Sequence, residues 1–253
     1  MTCVSAWTSA SCDARGKARL ARACLTALMR IEVWADVVCP WCYIGKRRLQ
    51  AALAERGLTD QVEIVHRAFQ LDPTASTDTE PTIDHLAAKY GVSRDEALAM
   101  MANVTEVAAA EGLDYHLERC MTGNTRDAHR LALWAQDRPD RDGSAGSPGR
   151  NDGAAQRLLE AMYSAYFEQV RGVFTTEDLV AFAAEVGLDA DEARAMLAGT
   201  AYLDQVVQDQ VLARTFGANG VPFFVIDRAY GVSGAQPLEV FLDAIDQARA
   251  ASA

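Results

Sequence analysis

Two cysteines separated by two residues, at the junction of a β-rich run and a helix, constrain this chain more than any other feature of its sequence. The segment reads Asp36-Val37-Val38-Cys39-Pro40-Trp41-Cys42. Residues 31–38 alternate and are rich in β-branched and aromatic side chains, which predicts a strand. Pro40 stands where a helix can begin, because the N–H it lacks is not needed in a first turn. From 41 to 56 the apolar positions Ile44, Leu49, Ala52 and Leu53 recur at helical spacing, and Gly57 ends the run. The spacing brings both sulfurs within bonding reach across that first turn. Disulfide exchange needs a thiolate that attacks and a second thiol that resolves the mixed disulfide. Unpaired N–H groups and partial positive charge at a helix start favour the first cysteine as thiolate. Cys39 is therefore the expected nucleophile, and Cys42, one turn further in, the more buried resolving thiol.

The other chemistry open to such a pair is half a zinc site. Zinc wants about four ligands, usually from a second close pair, and no other Cys-x-x-Cys or His-x-x-x-His occurs. No metal is expected. Of the six cysteines, Cys3, Cys12 and Cys24 lie in an upstream stretch and Cys120 stands alone, which is the wrong spacing for a stapled secreted fold. Residues 1–28 carry Arg15, Lys17, Arg19 and Arg22 against one acid, Asp13. A secretory signal needs roughly 7–15 uninterrupted apolar residues, and Arg19 and Arg22 break the one candidate run. That stretch is expected to be a disordered or non-native extension, with Met29 as the functional start and the cytoplasm as the compartment. A net charge of −11 disfavours nucleic acid, whose phosphates attract an excess of Lys and Arg. No apolar run reaches the ~20 residues of a membrane-spanning helix, so no membrane partner is expected. Oligomeric state is left open.

A second strand is predicted over 62–69, closed by Asp72-Pro73, so the chain opens strand–helix–strand, a crossover with a parallel pair. The middle is helical in pattern: 82–90, 93–112 with a capping box from Ser93 to Glu96, 126–136, 154–167, 176–186, 191–198 and 202–216. Thr176, Asp189 and Thr200 are candidate caps. A Gly/Pro-rich loop spans 138–149. Strands return at 222–226 and 229–233 around a two-residue turn, Asp227-Arg228, and a last helix covers 237–248. The expected fold class is α/β: a thioredoxin-like core of order βαβ…ββα with a large inserted α-helical subdomain. Its parts are the extension 1–28, core 29–80, insertion 81–201 and core 202–253. In that core the strand beginning Gly220-Val221-Pro222-Phe223-Phe224-Val225 faces the dithiol helix. A cis bond before Pro222 would keep metals away and offer Val221's backbone to an extended substrate.

These segments resemble the DsbA family of thioredoxin-like oxidoreductases, and within it the cytoplasmic FrnE-like branch. The motifs are 36–46, Asn124-Thr125-x-x-Ala128-His129-Arg130, 220–225 and Val232-Ser233-Gly234-Ala235-Gln236-Pro237. The resemblance runs from Met29 to about Arg249. It implies Cys39 as nucleophile, Cys42 as resolving thiol, Pro222 as the cis-proline and a helical insertion that caps the site. It further implies a protein disulfide oxidoreductase or isomerase with no resident cofactor. The partners would be thiol- or disulfide-containing proteins or small thiols, glutathione being the candidate co-substrate. Related glutathione-dependent isomerases of 2-hydroxychromene-2-carboxylate and kappa-class glutathione transferases typically carry Ser in place of Cys39, and both cysteines here argue against that chemistry. The remaining alternative is a chaperone-like binding module.

Substrate contact is assigned to Pro40, Trp41, Val221, Asn124, His129, Gly234 and Gln236. Each has a plainer reading: Asn124 as a turn residue, His129 as a helix-packing histidine, Trp41 as a cover for the sulfurs. Asp36 is either a proton acceptor or a strand-end hydrogen-bonding residue. Lys46, Arg47 and Arg48 read as a solvated helix face, and Cys120 as an inert thiol.

Overall fold

In a computed structural model that describes residues 29–138 and 153–251, the β-rich run before the dithiol forms β1 (Met29–Ala35). It is an inner strand of a four-stranded sheet. The expectations for 1–28 and for most of the Gly/Pro-rich loop lie outside the described residues. Pro40 opens α1 (Pro40–Glu55), which crosses over to β2 (Val62–Ala68), and β2 pairs parallel to β1 with Ile31 opposite Ile64. At the far end of the chain, β5 (Phe223–Ile226) runs antiparallel to β1, and β6 (Tyr230–Ser233) antiparallel to β5. The core is thus βαβ followed by ββα, closed by α9 (Leu238–Ala251).

Period-two alternation decides what each face of the sheet buries. Ile31, Ile64, Phe224 and Ile226 point to one face and pack with Leu49 and Leu53 of α1 and Phe241 and Ile245 of α9. Trp34, Phe223 and Val225 point the other way, against Ala213 of α8 (Leu203–Thr215). Glu32 is fully buried on this second face. Arg67 and Arg228 both reach it, at 2.5 and 2.9 Å, and together they hold its carboxyl below the ordinary range against the opposing pull of burial. Edge strand β2 is covered by α4 (Arg126–Gln136), whose Gln136 Oε1 accepts the His66 N–H at 2.7 Å as a strand partner would.

Between β2 and α8 the chain builds the helical cap. Its helices are α2 (Thr82–Tyr90), α3 (Arg94–Ala110), α4, α5 (Ala154–Phe167), α6 (Thr176–Glu185) and α7 (Ala190–Ala198). The capping box at Ser93 is present in both directions. The Arg130 guanidinium is buried, and it donates to the carbonyls of Met196, Leu197, Gly199 and Ala201, taking up the free acceptors at the end of α7.

Several local expectations are corrected. Strand β1 stops at Ala35, because the Cys39 N–H bonds Asp36 O at 3.1 Å and turns the chain into α1. Thr175, not Thr176, caps α6, its hydroxyl accepting the Asp178 N–H at 3.1 Å. Thr200 caps nothing: α8 starts after Tyr202, which sits in the left-handed region at φ 65°. The hairpin connection is three residues, with Asp227 and Arg228 both at positive φ. Two short strands lie outside the expected elements, β3 (Glu80–Pro81) and β4 (Met121–Thr122), which pair antiparallel and tie α2 to the segment before α4.

Candidate active site

Cys39 is the N-cap residue of α1, in extended conformation just before Pro40. Cys42 lies one turn inside, its N–H bonded to Cys39 O at 3.0 Å. Both thiols are free and both residues are buried, yet their surroundings differ. Cys39 borders a groove of about 1030 Å³ between the core and α2–α3, together with Trp41, Leu71, Val221, Met100 and Asp72. Cys42 faces inward. Burial, and after it the neighbouring Cys39 sulfur, pushes the Cys42 thiol well above the ordinary thiol range. The asymmetry is that of an attacking and a resolving thiol.

The Val221–Pro222 peptide bond is cis, and Val221 O lies 3.6 Å from Cys39 Sγ as an acceptor. The Pro222 ring can lie against α1 because position 45 has no side chain. A Cβ on Gly45 would stand 3.0 Å from Pro222 Cγ and 3.1 Å from Phe224 Cζ. On the other side Pro222 O accepts the Gly234 N–H at 2.8 Å, with Gly234 at φ 79°. Gln236 bonds back to Ser233 O at 2.7 Å. Gly234 and Gln236 therefore shape the loop behind Pro222 and do not border the groove, contrary to the substrate contact assigned to them.

Pro40 and Trp41 do border it, with Trp41 38% exposed beside the dithiol. Asn124 does not. Its side chain is used up holding the groove wall, donating to Ala75 O and accepting from Gln70 Nε2 and the Arg126 N–H. His129 is fully buried behind Asp36, its Nε2 3.3 Å from Asp36 Oδ1 but off the line of a hydrogen bond, so it cannot touch a substrate. The other Asp36 oxygen accepts the Leu71 N–H at 2.8 Å. Cys120 also borders the groove, with its thiol directed at the carbonyls of Tyr166 and His116, and burial pushes it up to about 12.

Lys46, Arg47 and Arg48 are not a solvated face. Glu160 of α5 takes both Lys46 and Arg47, and it also accepts the Tyr43 hydroxyl at 2.7 Å. Arg48 reaches Glu111 and Ala235 O, each at 2.6 Å. Behind these charges Tyr43 stacks on Tyr163 at 5.1 Å, and Tyr115 on Phe167 at 4.7 Å. Tyr115 donates to Pro40 O at 2.8 Å, and burial followed by the nearby Cys39 sulfur pushes its phenol upward, so it stays a donor. The cap is thus clamped directly onto the dithiol helix.

Burial opposes ionisation of Glu160, but Lys46, Tyr43 and Arg47 outweigh it and hold the carboxyl below its ordinary 4.5. An unfolded glutamate binds its proton more readily than this one. The clamp's contribution is therefore complete above the ordinary value and is lost as pH falls through the lower folded value. Glu160→Gln is expected to lower stability by about 1–2 kcal/mol at neutral pH, discounted for partial solvent access. Denaturant unfolding of both proteins on acidification below pH ~4.5 checks the sign. Wild type should lose more stability than Glu160→Gln; equal losses would contradict the clamp.

A thioredoxin-like sheet with an attacking and a resolving cysteine at the start of α1, and a proline loop against them, defines a thiol–disulfide oxidoreductase. The family model of the DSBA-like thioredoxin domain matches residues 30–246, and the chain belongs to that family. A crystal structure of a probable DsbA oxidoreductase from Streptomyces coelicolor is similar at 46% identity and TM-score 0.77, covering 88% of this chain and 90% of that one. The uncharacterized Bacillus subtilis protein YwbO is 24% identical over 220 residues, 86% of this chain and 96% of its own. The Pseudomonas aeruginosa cytosolic disulfide reductase DsbM, solved with GSH, shares the fold at 19% identity and TM-score 0.52, over 87% and 96% of the two chains.

Among the described residues no helix is long and apolar enough to cross a membrane, and no group of three or more His, Cys, Asp or Glu side chains is arranged to hold a metal ion.

Proposed function

We propose that the Cys39–Cys42 dithiol exchanges disulfides with protein thiols, and with glutathione as a smaller co-substrate, as a cytoplasmic FrnE-like enzyme. The observation that carries this reading is the placement of the two sulfurs: Cys39 borders the large groove, while Cys42 is held protonated behind it. Cys39 attacks a substrate disulfide, and the Val221 carbonyl beside it is available to an extended segment. Cys42 then displaces the substrate sulfur from Cys39. Pro222 holds the Val221 backbone in place, and Pro40 and Trp41 floor the substrate's approach.

Exposed apolar side chains ring the entrance, among them Trp41, Leu71, Tyr90 and Met100. They favour a peptide with apolar residues around its cysteine. Glutathione, with two carboxylates, meets Asp72, Asp78 and Glu80 at the same mouth, against Lys89 as the single lysine or arginine there, and gains less. The Cys42→Ser protein can be incubated with a disulfide-linked apolar peptide and separately with glutathione disulfide, and its adducts mapped by mass spectrometry. Reductant-sensitive adducts on Cys39 are expected from both, the peptide adduct forming faster. No adduct on Cys39 would sink the reading. Saturable non-covalent glutathione binding, with activity that survives loss of Cys42, would favour the isomerase or transferase alternative.

A further inference from the structure

Helix α8 carries apolar side chains on two faces. Val206 and Ala213 are buried toward the sheet, while Val207 and Val211 point outward at 62% and 54% exposure. Val207 is the most exposed large apolar side chain among the described residues. A single apolar residue on a surface is ordinary. These two stand four apart, which places them together on one side of the helix. Valine gains nothing there from helix propensity, and a helix that is apolar on both sides requires cover on both.

The outward face is held rigidly. Asp209, at the midpoint of α8 and on its opposite side, accepts the Ala68 N–H and Arg67 Nη1, each at 3.0 Å. The Asp209 carbonyl accepts Trp34 Nε1 at 2.8 Å, and Gln210 donates to Gln70 O at 3.2 Å. The face is also complementary to itself. Asp204 and Arg214 are exposed, lie on the same stripe as the two valines, and make no ion pair among the described residues. Asp204, Val207, Val211 and Arg214 follow at intervals of three, four and three, the seam spacing of a coiled coil. The order is symmetric about position 209, with the valines two residues to either side and the charges five. A second α8 running antiparallel therefore sets each Val207 against a Val211 and each Asp204 against an Arg214. Gln205, Gln208 and Gln210 add no charge, so this face is neutral in a chain whose net charge of −11 otherwise opposes self-association.

We propose that the protein self-associates through α8, two copies packing antiparallel about a two-fold axis at position 209. The contact is isologous: the same stripe serves on both copies. The valine pairs leave water at its centre, and the charge pairs at its two ends fix the direction. A parallel arrangement would set Asp204 against Asp204 and Arg214 against Arg214, and like charges placed so are unfavourable. With 13 residues, α8 is about 20 Å long, so the contact lies at the small end of specific interfaces. It predicts a weak dimer, with Kd on the order of 100 μM. The association is independent of the chemistry at Cys39.

Sedimentation velocity of the full chain from about 10 μM to ~1 mM reads the association directly. Reductant is kept present so that Cys3, Cys12 and Cys24 form no disulfides between chains. The mass should rise from monomer to dimer across that range. Val207→Asp should weaken association by at least about tenfold, since the change enters the contact twice. Asp204→Arg and Arg214→Asp should each weaken it by about tenfold. The two changes in one chain should restore it to within about twofold of wild type, because the charges then pair with exchanged signs. An equal mixture of the two single variants should form a mixed dimer tighter than either variant forms alone. All three positions are exposed, so the fold tolerates the changes. A chain that stays monomeric at ~1 mM would overturn the proposal and leave the face to a different protein. A dimer indifferent to these substitutions, or a double variant no better than the singles, would overturn it as well.

Discussion

Cys39→Ser is expected to reduce disulfide exchange by at least about a thousandfold, the scale of loss when the nucleophile is removed from a catalytic set. Among the described residues no other cysteine is placed to replace it. Cys42 faces the interior with its thiol held protonated, and Cys120 is spent on two backbone carbonyls. Cys42→Ser should behave differently. The first attack proceeds, because Cys39 keeps its place at the start of α1 and its approach from the groove, but the mixed disulfide accumulates. A peptide-exchange assay with mass analysis of the enzyme distinguishes the two. Residual exchange in Cys39→Ser above about one part in a hundred of wild type would move the nucleophile elsewhere.

Gly45→Val should be the most damaging substitution outside the sulfurs. The added Cβ alone meets Pro222 and Phe224 at 3.0 and 3.1 Å, and neither can retreat easily. Pro222 is a ring in a tight loop, and Phe224 is buried edge-on against Phe241 at 4.9 Å. Overpacking of this kind typically costs about 1–3 kcal/mol. Alanine would recover up to ~1 kcal/mol through helix propensity, whereas valine recovers about half of that or less and adds two methyl groups to the clash. Gly45→Val is therefore expected to lose about 2 kcal/mol or more, a fall in Tm of roughly 4–8 °C for a chain of this size. Exchange should drop by about tenfold as well, because the displaced Pro222 carries the Val221 carbonyl away from Cys39. A stable variant with wild-type exchange would show that the close approach of α1 and Pro222 is not required.

Features written in short-range pattern were legible in the sequence. Helical periodicity placed 82–90, 126–136 and 154–167 at their observed limits, and the capping box at Ser93 was readable because its partners are three residues apart. Alternation identified β1, runs of β-branched and aromatic residues identified β2 and the closing hairpin, and their order gave the fold. What escaped depends on partners distant in sequence. Glu160 lies 113 residues from Arg47, so a run of three basic residues looked like a solvated face when it is a clamp. The two-residue strands at 80–81 and 121–122 are too short to carry a period. Gly45 signalled itself only as a glycine inside a helical run, where it weakens the helix by about 1 kcal/mol and so needs a packing reason. Asn124 and His129 belong to a motif near the site, and proximity to a motif says nothing of whether a side chain points into the groove or away from it.

The central claim is that Cys39 and Cys42 interconvert between dithiol and disulfide as one redox unit. A redox titration against glutathione, quenched by alkylation and read by mass spectrometry, tests it most directly. The account predicts a reversible two-electron transition of this pair, with a midpoint in the range of roughly −270 to −120 mV spanned by thioredoxin-like proteins. A pair that never forms a mutual disulfide across that range, or cysteines that take up glutathione separately without closing on each other, would contradict it.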